Sequence, residues 1–193
     1  NLIIDDNDHP LIIKVASIQA ARMQVYFIDN EEYFQRKFGL KDKSGNFFND
    51  NDERAIFYCR GVLETVKKLG WAPDIIHCHG WMNAFVPLYI KKVFNEDPIF
   101  ANSKVIFSIY NTGFEKELDK NFGNKAILDG VDLEDVAELS KPSATEVYKY
   151  AAKWSDGVII GSEGINTELD QEIRKMGKPI LEFQNEESYV EEY

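Results

Sequence analysis

The chain has 193 residues, 44% of them hydrophobic and 28% charged, with 33 acidic against 22 basic side chains and a net charge of −11. That is the make-up and size of one globular domain rather than a disordered segment. The acidic balance argues against a nucleic-acid or anionic-membrane surface, since both need clustered Lys and Arg, and the longest apolar run, Lys104 to Tyr110, is far too short to span a bilayer.

Asp5, Asp6 and Asp8 at the start, and Glu182, Glu186, Glu187, Glu191 and Glu192 at the end, read as solvated termini. The chain opens on Asn1-Leu-Ile-Ile rather than a methionine, so further sequence is expected upstream. Leu11 to Ser17 and Met23 to Ile28 are β-rich runs joined by Ile18-Gln-Ala-Ala-Arg22, a predicted hairpin. Asn30 to Arg36 follows as a short predicted helix with Asn30 as N-cap, and Gly39 to Asn51 as an exposed loop. From Asp52 to Leu69 the apolar residues Ile56, Cys59, Leu63, Val66 and Leu69 recur at helical steps, with Gly70 as terminator.

Ile75 to His79 is a predicted strand, Gly80-Trp81 a turn, and Asn83 the cap of a helix running to about Phe94. Lys104 to Tyr110 is the next strand. Residues 111–142 mix turns with short helical pieces, one entered from Asp129 to Asp135. Ser143, with Glu146 three residues on, caps a helix to Trp154. Gly157 to Gly161 is a buried strand, Asn166 caps a helix to Met176, Gly177 to Phe183 is a last extended segment, and Ser188 to Tyr193 a surface helix. Strand and helix alternate through the second half, which predicts a mostly parallel, doubly wound sheet with helices on both faces, preceded by a hairpin. Cys59 and Cys78 have no paired spacing, so a reduced, cytoplasmic setting is expected.

Ligands of open α/β sheets bind beyond the carboxyl ends of the strands. Three such ends are candidates: His77 to Trp81, Tyr110-Asn111, and Ser162-Glu163. His77 and His79, two apart on a strand, face one side. They could be satisfied polar residues, contacts to a sugar or nucleotide, or two ligands of a metal, which needs three or four. Trp81 is either a core anchor or a stacking platform, and Asn111 either a hydroxyl contact or a turn cap. Ser162 precedes a helix start that could face a phosphate, although Glu163 opposes an anion. No G-x-G-x-x-G, P-loop or G-x-S-x-G is present, which counts against dehydrogenase, P-loop and serine-hydrolase chemistry.

The stretch Leu69-Gly-Trp-Ala-Pro-Asp-Ile-Ile-His-Cys-His-Gly-Trp-Met-Asn-Ala-Phe-Val-Pro-Leu-Tyr89 resembles the "GW-PD-hhH-HDW--A-hP-Y" motif of glycogen and starch synthases, glycosyltransferase family five. Lys104 to Asn111 is similar to that family's "thVhTVHN" strand, Ala151 to Ser162 to its "A--ADhh-TVS" segment, and Met23 to Tyr33 to its "hhhhhhd---yF-R" turn. The likeness covers most of residues 23–175.

The resemblance implies a single Rossmann-like domain over residues 1–193, the N-terminal half of a two-domain GT-B enzyme. It implies transfer of glucose from a nucleotide-glucose such as ADP-glucose to an α-1,4-glucan, with retention, no metal and no cofactor. His79 and Tyr110 then fall at catalytic positions, and His77, His79, Trp81, Asn111 and Ser162 at substrate-binding ones. The match is uneven. Gly80 stands where the motif has Asp, Tyr110 stands where it has His, and neither the Lys-x-Gly-Gly loop nor the donor-binding C-terminal domain has a counterpart here. The expectation is a poor catalyst by itself, completed by further sequence or a partner chain that supplies the second domain. The alternatives are a non-catalytic glucan- or sugar-nucleotide-binding or regulatory domain of glycogen metabolism, and an unrelated doubly wound domain.

Overall fold

The computed structural model describes residues 1–193. Two small antiparallel hairpins come first: β1 (Leu2–Ile4) with β2 (Asn7–His9), and β3 (Ile12–Ile18) with β4 (Met23–Asp29). The second hairpin is the predicted one. The first is not an expected element, although Asp5, Asp6 and Asp8 are exposed as read from the sequence: Asp5 and Asp6 turn with φ of 48° and 62°, a left-handed conformation that Asp tolerates better than most residues. That turn lets Leu2 and Ile4 enter the core.

Helix α1 (Asn51–Leu69) begins one residue before the predicted range and ends at Gly70, whose φ of 65° makes the C-cap. Ile56, Cys59 and Leu63 are fully buried as the spacing predicts, but Leu69 is exposed. The helix expected over 30–36 does not form. The Asn30 side chain accepts hydrogen bonds from the backbone N–H groups of Glu32 and Tyr33, closing a turn, and Arg36 is drawn instead into an ion pair with Asp50. A carboxylate so engaged does not cap α1.

The main sheet holds four parallel strands in chain order: β5 (Ile75–His79), β6 (Lys104–Ile109), β7 (Gly157–Ile160) and β8 (Ile180–Leu181). Between β5 and β6, the single helix expected from Asn83 is instead a 3-10 turn, Trp81–Asn83, and then α2 (Val86–Lys92). The Asn83 amide donates to the carbonyl of His79 rather than capping. Two single-turn helices, α3 (Phe122–Lys125) and α4 (Leu133–Val136), occupy the mixed region. The next two helices, α5 (Ala144–Trp154) and α6 (Thr167–Lys175), start where expected. Ser143 accepts from the Glu146 N–H and Asn166 from the Leu169 N–H.

The sheet is two-faced. Cys78, Val105, Phe107, Ile109, Val158 and Ile160 point into a core shared with α1, α2 and α5. Alternation sends His77, His79, Ser108, Tyr110 and Ile159 to the opposite face. The last helix, α7 (Tyr189–Glu192), brings Tyr193 over that second face, its ring centre 5.9 Å from that of His77.

Candidate sugar-binding rim

The strand ends proposed from the sequence do converge. Register pairs His79 with Ser108, and Ser108 with Ile159, so His77, His79, Ser108 and Tyr110 stand side by side. The imidazole Nε2 of His77 lies 2.7 Å from Oγ of Ser108. Nδ1 of His79 lies 2.6 Å from the Tyr110 hydroxyl. One strand further on, Oγ of Ser162 accepts a hydrogen bond of 3.0 Å from the backbone N–H of Asn111. The Tyr148 hydroxyl donates to the carbonyl of Thr112 at 2.8 Å, tying the same loop to α5.

Beyond β6 a cleft of about 360 Å³ opens, lined by Tyr110, Asn111, Thr112, Phe114, Tyr148 and Asn166 among others. Tyr110 and Asn111 line it directly. Ser162 reaches it through Asn111, and His79 through Tyr110. His77 sits two residues further back along β5, beneath Tyr193. Trp81 takes the anchoring role of its two alternatives. It is 4% exposed and packed edge-on against Phe114, with ring centres 4.8 Å apart.

Ser108, Tyr148 and Gly161 were not singled out in the sequence. Counting back two from Tyr110 would have placed Ser108 on the histidine face; nothing local marks the other two. Gly80 has a φ of 78°, so the chain leaves β5 through a turn that suits glycine, at the position where the resembling motif has Asp.

The two imidazole rings lie 4.0 Å apart. Burial, together with the neighbouring His79, pushes the His77 pKa down to about 4, and burial lowers that of His79. Both are therefore neutral near pH 7, each with one donor and one acceptor nitrogen. If the Tyr110 hydroxyl donates to Nδ1 of His79, Nε2 of that ring carries the hydrogen and is a donor; in the other tautomer Nδ1–H donates to the hydroxyl oxygen and the phenol O–H is the free donor. Either way the pair offers a neutral donor and acceptor of the kind that sugar hydroxyls pair with. Cys78, between the histidines, points to the other face and is buried, its thiol pushed up by that burial. The His-Cys-His run therefore does not converge on one point.

An open parallel sheet with a hydrogen-bonding rim at its carboxyl edge defines a Rossmann-like domain. Comparison with known proteins agrees. The starch synthase catalytic domain family matches residues 4–179, and the chain belongs to that family. It is 41% identical over 102 residues to the glycogen synthase of Chlorobium phaeobacteroides, a match covering 52% of this chain and 21% of that protein. With the glycogen synthase of Elusimicrobium minutum it shares 42% identity over 91 residues, 47% of this chain and 19% of the other. The catalytic domain of starch synthase IV from Arabidopsis thaliana, a structure bound to ADP and acarbose, superposes with a TM-score of 0.69 at 19% identity, over 95% of this chain and 38% of that one. The matched stretches thus span about a fifth of the curated relatives. No helix is long and apolar enough to cross a membrane.

Proposed function

We propose that this domain holds an α-1,4-glucan acceptor at the rim formed by His79, Tyr110, Asn111 and Ser162, as the N-terminal half of a glycogen or starch synthase that transfers glucose from a nucleotide-glucose. The observation that carries the reading is the meeting of three strand ends at one sheet edge, through the contacts His79 to Tyr110 and Asn111 to Ser162, in a chain of this family. The nucleotide and acarbose bound by the Arabidopsis relative support the pairing of a nucleotide with a glucan.

The rim residues are neutral. A leaving diphosphate and an oxocarbenium-like carbon need charge stabilisation, and these side chains do not provide it. The domain therefore binds and orients, and the charged donor contacts come from a second domain, whether in the same protein or on a partner chain. The two free thiols suit a reducing cytoplasmic setting.

A second reading, a glucan-binding domain without transfer, is favoured by one specific observation: Tyr110 and Gly80 occupy places where the resembling motifs have His and Asp. Glucosyl transfer from ADP-, UDP- and GDP-glucose to glycogen by the full-length natural protein, measured beside glucan binding, separates the two. Transfer that His79→Ala abolishes supports the synthase. Glucan binding without transfer supports the second reading, and absence of both overturns the site.

A further inference from the structure

Gly161 follows the last residue of β7 and lies beside Tyr110 in the continuation of the β6–β7 register. A Cβ placed on it would sit 2.6 Å from Cε1 of the Tyr110 ring and 2.9 Å from both Cδ1 and Cζ. Carbon atoms in contact prefer about 3.5–4.0 Å, so the ring rests in the space that any side chain at 161 would fill. The backbone gives no other reason for glycine here, because Gly161 is not among the residues with positive φ.

We propose that Gly161 is a positioning residue that acts by lacking a side chain: it is the seat that holds the Tyr110 phenol against His79. The backbone around Tyr110 cannot yield easily. The Gly161 N–H donates to the carbonyl of Ile109 at 2.7 Å, and the Asn111 N–H to Ser162 on the other side. Thr112 is held by Tyr148. A methyl group at 161 is relieved by rotating the ring, which carries its hydroxyl away from Nδ1 of His79, now 2.6 Å distant, and beyond hydrogen-bonding range. The family strand pattern quoted above fits this reciprocity, with Val before its Ser and His where this chain has Tyr: the larger ring here comes with the smaller neighbour.

The consequence for ligand affinity rests on the sugar-binding reading; the seating of the ring does not. Isotope-labelled histidine NMR on the full chain tests the seating. Gly161→Ala should shift the His79 ring signals to where Tyr110→Phe puts them and leave those of His9 unchanged. In a Tyr110→Ala background, Gly161→Ala should have no further effect. Wild-type His79 signals in Gly161→Ala overturn the proposal. Should Gly161→Ala fail to fold, the double variant Gly161→Ala/Tyr110→Ala decides: recovered folding supports the steric seat, and its absence overturns it. Maltoheptaose titration then reads the functional consequence, an affinity loss of about tenfold in Gly161→Ala, the scale of one lost hydrogen bond. Moved His79 signals with no maltoheptaose binding even in the wild type sink the sugar reading and leave the positioning role standing.

Discussion

The hydroxyl of Ser162 and the backbone N–H of Asn111, 51 residues apart in the chain, form a 3.0 Å hydrogen bond that closes the loop after β6 onto the end of β7. Ser162→Ala removes the acceptor and leaves the Asn111 amide to water. Asn111 is exposed, so water can replace the lost partner and the stability cost stays near 0.5 kcal/mol. The loop itself loosens. Amide hydrogen exchange should show faster exchange at Asn111, with the β6 strand amides unchanged; unchanged protection at Asn111 would sink the expectation.

Protonating the adjacent histidines disfavours the fold. His77 titrates at about 4 in the folded chain, below the value of about 6.5 that an unfolded histidine has. Between those values the unfolded chain binds more protons, so stability rises with pH. The contribution is fully present above about pH 6.5 and is lost as pH falls toward 4. Urea midpoints taken across this window should fall with acidity. In His77→Gln that dependence should shrink, since the group responsible is gone.

Lys125 on α3 holds the start of α1, donating to Asp52 at 2.9 Å and to Glu53 at 2.8 Å. Burial works against its charge, but the hydrogen bonds to Glu53 and Asp52 outweigh it and hold it charged. Asp52 is 1% exposed. Lys125→Met strands a buried carboxylate and should cost about 3 kcal/mol or more in denaturant unfolding. Lys125→Met combined with Asp52→Asn should recover part of that loss; equal stability of the single variant and the wild type would refute the pairing.

Gly70 ends α1 with a φ of 65° and nothing within 4 Å of where its Cβ would lie. Gly70→Ala therefore tests backbone conformation alone. A loss of about 1 kcal/mol is expected in thermal or urea unfolding, with Gly70→Asn milder because Asn enters the left-handed region more readily.

Elements defined by local chemistry were legible in the residues. The spacing of Ile56, Cys59 and Leu63 marked α1, and Ser143 and Asn166 marked the starts of α5 and α6 by the hydrogen bonds they accept. Failures came where a residue had a second use, in a turn or an ion pair, that its type alone does not reveal. The helix expected from Asn30 gave way because its Asn prefers to close a turn and its Arg36 pairs with Asp50. The hairpin of Leu2 to His9 was hidden because strands of three residues carry no periodicity, and two aspartates read as solvated charge rather than as a left-handed turn.

Sequence alone determined which strand ends carry histidine, tyrosine, asparagine and serine, since period-two alternation and turn residues are properties of a few neighbouring positions. Only the tertiary structure decided that these ends are adjacent, that Trp81 turns inward, and that Gly161 carries the Tyr110 ring. Those relations join residues 31 to 51 positions apart. They are set by strand order and by how side chains share space, quantities that no local pattern encodes.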